Sequence, residues 1–439
     1  MSFGVLVAGL LALRGGLIWY LAESGVNHLQ PDSTLYLLLA ENLVQKGWFS
    51  ASVEVFAPEV FRTPGYPAFL AGLQVVGLGG LWWVSAAQEL VYLFSAFLAY
   101  RGIRSLLSEH LGRAALVFML LEPGGLAFPK LVGSETLFIP FLLGAVFSIG
   151  FWLRNARWHW LLLAGALIGT GVLVRPAATY LPIIVLPIMR LAGRSRRTFA
   201  VGAVALLLGL SIVLGPWIAR NTIHFGEPFI SGQASNLLAN FHVPIVWETT
   251  QGIPFEKGQA LVRERVADVQ RGAQEELGRA LDDVDRSRLQ QAWALAELSS
   301  NLPTYAVHWT FGVVKAMLGA NLLELYHVAN LRTERLRYHQ IAETGILSKA
   351  WRFLSLQDPL VLLELLLRAI AAGLALAGAW SMLRSRDPFL WLVLGVNAYF
   401  LSIAGPMGYG RLRFPVEVLW FLQAALGLGW IRSRFGRLK

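Results

Sequence analysis

The 439-residue chain is 56% hydrophobic and only 15% charged, with a formal net charge of +10 and no cysteine. Soluble domains carry roughly a quarter charged residues, so the composition excludes an ordinary soluble domain and indicates an integral membrane protein. Disulfides, thiolate nucleophiles and cysteine metal sites are excluded as well.

Spanning the hydrocarbon takes roughly 20 mostly apolar residues. The runs near that length are about 3–22, 82–100, 113–129, 134–153, 158–174, 177–192, 198–218, 359–383, 388–405 and 415–431. The expected fold is therefore all-α and polytopic, with about 10–11 transmembrane helices and further amphipathic helices on the outer face. The first run begins almost at Met1, lacks a basic flank and carries Arg14 inside it, so it reads as a retained helix. The basic connectors "RGIRSLLSEHLGR" (101–113), "RNARWH" (154–159), "RLAGRSRR" (190–197), "RSRD" (384–387) and "RSRFGRLK" (432–439) follow the positive-inside rule if both termini are cytoplasmic. Cations at the ends of apolar runs read as orientation signals and lipid-headgroup contacts, not as a nucleic-acid surface.

Three parts follow: a transmembrane module 1–218 with a first outer loop 23–81, an extracytoplasmic or interfacial helical region 219–358, and C-terminal transmembrane helices 359–439. The first loop holds two short amphipathic stretches, "STLYLLLAENLVQKG" and "PGYPAFLAGLQVVG", expected to lie on the membrane surface. Residues 254–300 are charged with helical spacing, and "LDDVD" (281–285) reads as a break or helix cap. "LPTYAVHWTFGVVKAMLGANLLELYHV" (302–328) is long enough to span but contains His308, Lys315, Asn321 and Glu324. A crossing there would place the later basic connectors outside, so an interfacial or re-entrant helix is expected. Arg332, Arg335 and Arg337 are then outside, which long loops permit.

With topology fixed, several polar motifs gather at the outer ends of spans: Asp32 with Tyr36, "FRTPGYP" (61–67), "PKLVGSETLF" (129–138), "VRP" (174–176), "PWIARN" (216–221) and "GYGRLRFP" (408–415). Ionisable residues facing a shared cavity at a membrane are functional-site candidates. Arg62, Arg175, Arg220, Arg411 and Arg413 would surround Asp32, Glu59 and Glu135, and Arg presents a fork of donors that suits phosphate oxygens. Each residue also has a structural reading. Asp32 is placed to cap the helix after it. Glu135 and Ser134 are placed to cap the next span, Arg175 to mark a helix end, and Arg411 and Arg413 to snorkel to lipid phosphates. His308, Lys315 and Glu324 read as the polar face of an interfacial helix. Walker loops, dinucleotide fingerprints, HExxH motifs and nucleophile elbows are absent from the sequence. No metal site and no required cofactor is expected, and a divalent metal has no support in the residues. No nucleic-acid module is present.

"PDSTLYLLLAENLVQKGWFS" followed by "FRTPGYPAFLAGLQ" resembles the first outer loop of the family 39 membrane glycosyltransferases of the GT-C class. That family includes protein O-mannosyltransferases and the aminoarabinose transferase acting on lipid A. "SETLFIPFLL", "VLVRPAATYLP", "GPWIARNTIHFGEP", "SSNLPTYAVHW" and "GYGRLRFPVEVLW" follow in the family's order, over nearly the whole chain. The resemblance implies an inverting transferase that takes a sugar from a polyprenyl-phosphate donor, amid membrane lipids, on the extracytoplasmic face of a bacterial-type inner membrane. It implies Asp32 as general base, Glu135 as a second acid, and Arg62, Arg411, Arg413 and Arg175 as donor-phosphate ligands. Tyr36, Glu59, Tyr66 and Tyr409 would line the sugar or acceptor pocket. Ser33 stands where the mannosyltransferases carry a second acid, and the acceptor (lipid, glycan or protein) stays open. The alternative from another class is a transporter or flippase of lipid-linked sugars. Transporters favour mid-membrane sites and internal repeats, whereas these charges gather at one face.

Overall fold

The computed structural model describes residues 2–331 and 346–435. Helix α1 (Phe3–Ser24) begins where the Ser2 hydroxyl accepts from the Val5 amide, satisfying one orphan donor of the first turn. In the first loop, α2 (Ser33–Lys46) and α3 (Gly65–Val75) pack on each other, and both are too short to span. Gly47 stops α2 in the left-handed conformation, its amide bonded back to the last turn.

After α4 (Leu81–Leu106) come α5 (Glu109–Leu121) and α6 (Pro123–Ala127). The expected span 113–129 is bent: the chain turns by 54° between α5 and the segment that starts at Pro123, which lacks an N–H. The central helix α7 (Ser134–Asn155) is enclosed by its neighbours over most of its length. Then follow α8 (His159–Val174), α9 (Leu181–Leu191) and α10 (Arg196–Phe225).

Residues between the two sets of apolar helices form a separate unit with its own core. Its helices are α11 (Gln233–Leu237), α12 (Val243–Thr250), α13 (Phe255–Leu277) and α14 (Asp283–Ser300). Val246, Trp247, Val262, Val266, Ala294 and Leu298 meet inside it. The expected cap at 281–285 is present as a reciprocal capping box between Asp282 and Asp285.

The segment 302–328 is broken. It forms α15 (Leu302–Leu318) and α16 (Leu322–Val328), separated at Gly319, and neither reaches span length. Arg332, Arg335 and Arg337 lie outside the described residues. The chain ends with α17 (Ile346–Ser355), α18 (Pro359–Arg384), α19 (Pro388–Ser402), the single turn α20 (Gly410–Arg413) and α21 (Glu417–Phe435). The turn before α20 lies flush on α15. A Cβ at Gly312 would stand 1.9 Å from the Gly405 carbonyl oxygen, and one at Gly408 would stand 1.7 Å from the Gly312 oxygen. Only glycine permits that approach.

Six described helices are long and apolar enough to cross a membrane: Phe3–Leu21, Leu81–Leu106, Ser134–Asn155, Arg196–Phe225, Pro359–Arg384 and Gly410–Arg434. The bent pair can make a seventh, and His159–Val174, Pro176–Leu191 and Pro388–Ser402 are shorter apolar helices. The protein is thus a multi-pass, all-helical membrane protein. Among the described residues there is no strand, only an isolated bridge between Ser50 and Pro58.

Candidate functional site

The first loop aims its polar residues by local bonds. The Ser33 hydroxyl donates to the Val132 carbonyl at 2.7 Å, and the Val132 amide donates to His28 at 2.8 Å. These tie the chain before α2 to the segment before α7. Asp32 therefore sits beside the start of α7.

Asp32 occupies the N-cap position of α2, yet its carboxylate caps nothing. Arg62 Nη2 donates to its Oδ1 at 2.6 Å, and Arg411 Nη2 reaches its Oδ2 at 3.4 Å. The local capping account of this acid is thereby overturned.

Glu135 is buried in the first turn of α7, with 2% of its side chain exposed. Its Oε1 accepts from Arg411 Nε at 2.5 Å and from Arg175 Nη1 at 2.7 Å. Arg175 also donates to Ser134 Oγ at 3.2 Å. The N-cap position of α7 is Gly133, which has no side chain to cap with, so Ser134 and Glu135 lie inside the first turn. Arg411 is the bridge: one guanidinium joins the Asp32 carboxylate of the first loop to the Glu135 carboxylate of α7.

Tyr36 and Tyr66 are buried next to the cluster. The Arg62 guanidinium carbon lies 5.1 Å from the Tyr36 ring centroid, a cation–π contact. Tyr36 meets Tyr66 edge-on at 4.9 Å. Tyr66 is fully buried, and its hydroxyl donates to Gln88 Oε1 at 2.9 Å. Gln88 in turn donates to the Pro129 and Leu131 carbonyls at 3.0 and 2.8 Å.

Glu59, Arg220 and Arg413 are turned away from the cluster, while Tyr409 stays at its edge. Glu59 is turned into its own loop, where its Oε1 accepts from the Phe61 and Arg62 amides at 2.7 and 2.9 Å. It shapes the turn that presents Arg62 and lines no pocket. Arg220 supports the same turn, donating to the Glu59 carbonyl at 3.0 Å and stacking on Trp217. Tyr409 is exposed at the rim.

Arg413 is fully buried away from the cluster. Its Nε donates to Glu417 Oε2 at 2.7 Å, and its other nitrogens donate to the carbonyls of Ala316, Met317 and Gly319. These bonds hold α15 against α20 and leave Arg413 no part in a phosphate site.

Sequence reasoning missed a buried ionic belt. Arg368 donates to Glu122 at 2.7 Å and to Glu364 at 3.1 Å, and it also contacts Glu417. Glu364 accepts from the Asn321 and Leu322 amides at 2.9 and 2.8 Å, and Asn321 Nδ2 donates to Glu122 at 2.8 Å. Next to it, Arg14 donates to Glu89 at 2.6 Å, and Lys130 pairs with the other Glu89 oxygen. Arg14 and Glu122 meet at Gly125, through its carbonyl and its amide respectively. Four cations (Arg14, Lys130, Arg368, Arg413) thus face four carboxylates (Glu89, Glu122, Glu364, Glu417). The spacing "ELLLR" (364–368) inside an apolar run was the available signal, because i and i+4 share a helix face.

Residues 62–218 match a family model described as dolichyl-phosphate-mannose-protein mannosyltransferase. Among curated proteins, no sequence matches the chain. The solved structures that resemble it include the archaeal oligosaccharyltransferase AglB from Archaeoglobus fulgidus in complex with an inhibitory peptide and a dolichol-phosphate. That likeness has a TM-score of 0.51 at 13% identity and covers 93% of this chain and 47% of the other. The Archaeoglobus fulgidus oligosaccharyltransferase tethered to an acceptor peptide with the NVT sequon gives a TM-score of 0.50 at 12% identity, over 98% of this chain and 50% of that one. The chain spans about half the length of these neighbours. The likeness shows the fold, which is the GT-C fold implied by the first-loop motifs.

Proposed function

We propose that this protein of GT-C fold is an inverting glycosyltransferase that moves a sugar from a polyprenyl-phosphate donor to an acceptor on the extracytoplasmic face of a bacterial-type inner membrane. The observation that carries the proposal is the cluster itself. Three guanidinium groups, Arg62, Arg175 and Arg411, meet two carboxylates, Asp32 and Glu135, leaving one net positive charge. The matched family is named for a lipid-phosphate sugar donor, and the AglB complex holds a dolichol-phosphate, which supports a lipid-linked donor here.

In this reading Arg62 and Arg411 turn donors to the phosphate oxygens and stabilise the charge that grows there as the glycosidic bond breaks. Asp32 is the carboxylate open to solvent, with 34% of its side chain exposed, and it accepts the proton of the acceptor hydroxyl. Glu135 is sealed and spends one oxygen on two guanidinium groups. It is a positioning residue for Arg411 and Arg175 rather than a proton acceptor. Attack from the face opposite the phosphate inverts the anomeric centre. Tyr36 carries Arg62 on its ring and so holds that guanidinium toward the sugar phosphate. The helical unit from α11 to α14, beside this cluster in the chain's outer region, is the surface offered to an acceptor.

The experiment is transfer by the purified protein in vesicles, supplied with radiolabelled polyprenyl-phosphate sugars and a cell-envelope extract. Label is expected in an acceptor, and Asp32→Asn is expected to lower its rate by roughly 10²- to 10⁴-fold. Full transfer by a folded Asp32→Asn protein rules out the assigned base. Label that crosses the bilayer still attached to its lipid supports a flippase instead.

A further inference from the structure

The helices α15 and α17 have their polarity reversed relative to α13 and α14. In α13 and α14, Val262, Val266, Ala294 and Leu298 are buried and the charged residues face out. In α15 the inward positions are His308, Gly312 and Ala316, while Val307, Trp309 and Val314 face out. His308 Nε2 lies 2.7 Å from Thr249 Oγ1, and Lys315 Nζ donates to the Pro406 carbonyl at 2.8 Å. The expected polar outer face of 302–328 is therefore turned inward. In α17, Lys349 is 3% exposed and pairs with Glu248 at 2.7 Å, whereas Trp351 is 75% exposed and Leu354 is exposed beside it.

Two of the outward hydroxyls bond back to their own helix. Thr310 Oγ1 donates to the Ala306 carbonyl of its own helix at 2.9 Å, and Ser355 Oγ to the Arg352 carbonyl at 2.9 Å. Arg352 is exposed next to Trp351, a pairing suited to the headgroup level. Three residues after α17, α18 begins, and its Leu363, Leu366, Leu367 and Ile370 continue the exposed apolar surface.

We infer that α15 and α17 are bilayer-facing helices: α15 lies among the acyl chains and α17 at the headgroup boundary, on the side of the membrane that carries α13 and α14. The occupant of their apolar faces is lipid. Their polar seam (Thr249–His308, Glu248–Lys349, Lys315–Pro406) is what seals them to the protein. This inference does not depend on the transferase reading.

The chain has no cysteine, so single-cysteine spin labels need no background removal. V314C, V307C and W351C would be labelled in the full chain, reconstituted in phosphatidylcholine vesicles, and compared with L366C on α18 and E275C on α13. Collision rates with oxygen and with a neutral nickel chelate are the readout. V314C and V307C are expected to match L366C, with an oxygen-to-nickel ratio several-fold above that of E275C, and W351C to fall between. Nickel access equal to E275C overturns the inference. So does exclusion of both reagents, which marks cover by a second copy or another protein. V307C and V314C lie on separate turns of an exposed face, so failure of one to fold leaves the other to decide.

Discussion

Arg411 and Arg413 stand two residues apart on the turn α20, and helical residues at i and i+2 do not share a face. Arg411 consequently points to Asp32 and Glu135, while Arg413 points to Glu417 and the end of α15. Their replacement should fail in different ways. Arg411→Ala is expected to lower transfer by roughly 10²- to 10³-fold, as for loss of one preorganised donor. Its melting temperature should change little, because Glu135 keeps Arg175. Glu417 likewise keeps Arg368, but Arg413→Ala also leaves the carbonyls of Ala316, Met317 and Gly319 without their donor; it is expected to cost about 3–5 kcal/mol, read as a lowered melting temperature in detergent. The opposite pattern would reverse the two assignments. Asp32, Arg62, Glu135, Arg175 and Arg411 were legible because charged residues at the ends of apolar runs have few partners besides one another. The burial of Arg413 was not legible, because "GRLRFP" shows two cations by composition while only a helical turn sends them to different partners. Glu59 failed for a local reason: a carboxylate two and three residues before free amides folds back onto them.

Among the elements, the ionic belt links α1, α4, the bend at Pro123, α18 and the start of α21. Such a belt is costly to desolvate, and breaking it costs more than replacing it. Glu122→Ala is expected to destabilise by about 3–5 kcal/mol, since Arg368 and Asn321 lose a buried acceptor. Adding Arg368→Met should not recover that loss, because it strips Glu364 and Glu417 of the same cation, and a thermal double-mutant cycle with Glu122→Leu measures the coupling. A second expectation concerns the helical unit around α12. Burial pushes His242 down to about 4 from its ordinary 6.5, and its Nδ1 lies 3.0 Å from the Tyr305 hydroxyl. The folded protein therefore holds this ring neutral where the unfolded chain would protonate it. Its contribution is full above pH 6.5, falls as the pH drops towards 4, and amounts to about 3 kcal/mol. His242→Gln should flatten that part of the pH–melting curve. Equal slopes for the two proteins would show that His242 is not the titrating group.

For the whole molecule, the count of crossings is the open quantity that composition and structure approach from different ends. The apolar runs were legible because the bilayer demands an apolar surface whatever packs behind it. Their lengths were not, because prolines and glycines set the ends: Pro123 bends one run, and Pro176, Pro359 and Pro388 begin others. Six long helices, one bent pair and three shorter apolar helices make ten crossings if each passes once, and an even count puts both termini on one side. The break at Gly319 and the inward polar seam of α15 keep 302–328 from adding an eleventh. Single cysteines at Arg157, Ser433 and Glu275 test this in intact cells with a membrane-impermeant thiol reagent. Glu275→Cys should react from outside, while Arg157→Cys and Ser433→Cys should react only after the membrane is opened. Were 302–328 a crossing, Ser433→Cys would react from outside while Arg157→Cys stayed protected. Arg411 would then lie across the membrane from Asp32, which their 3.4 Å contact forbids.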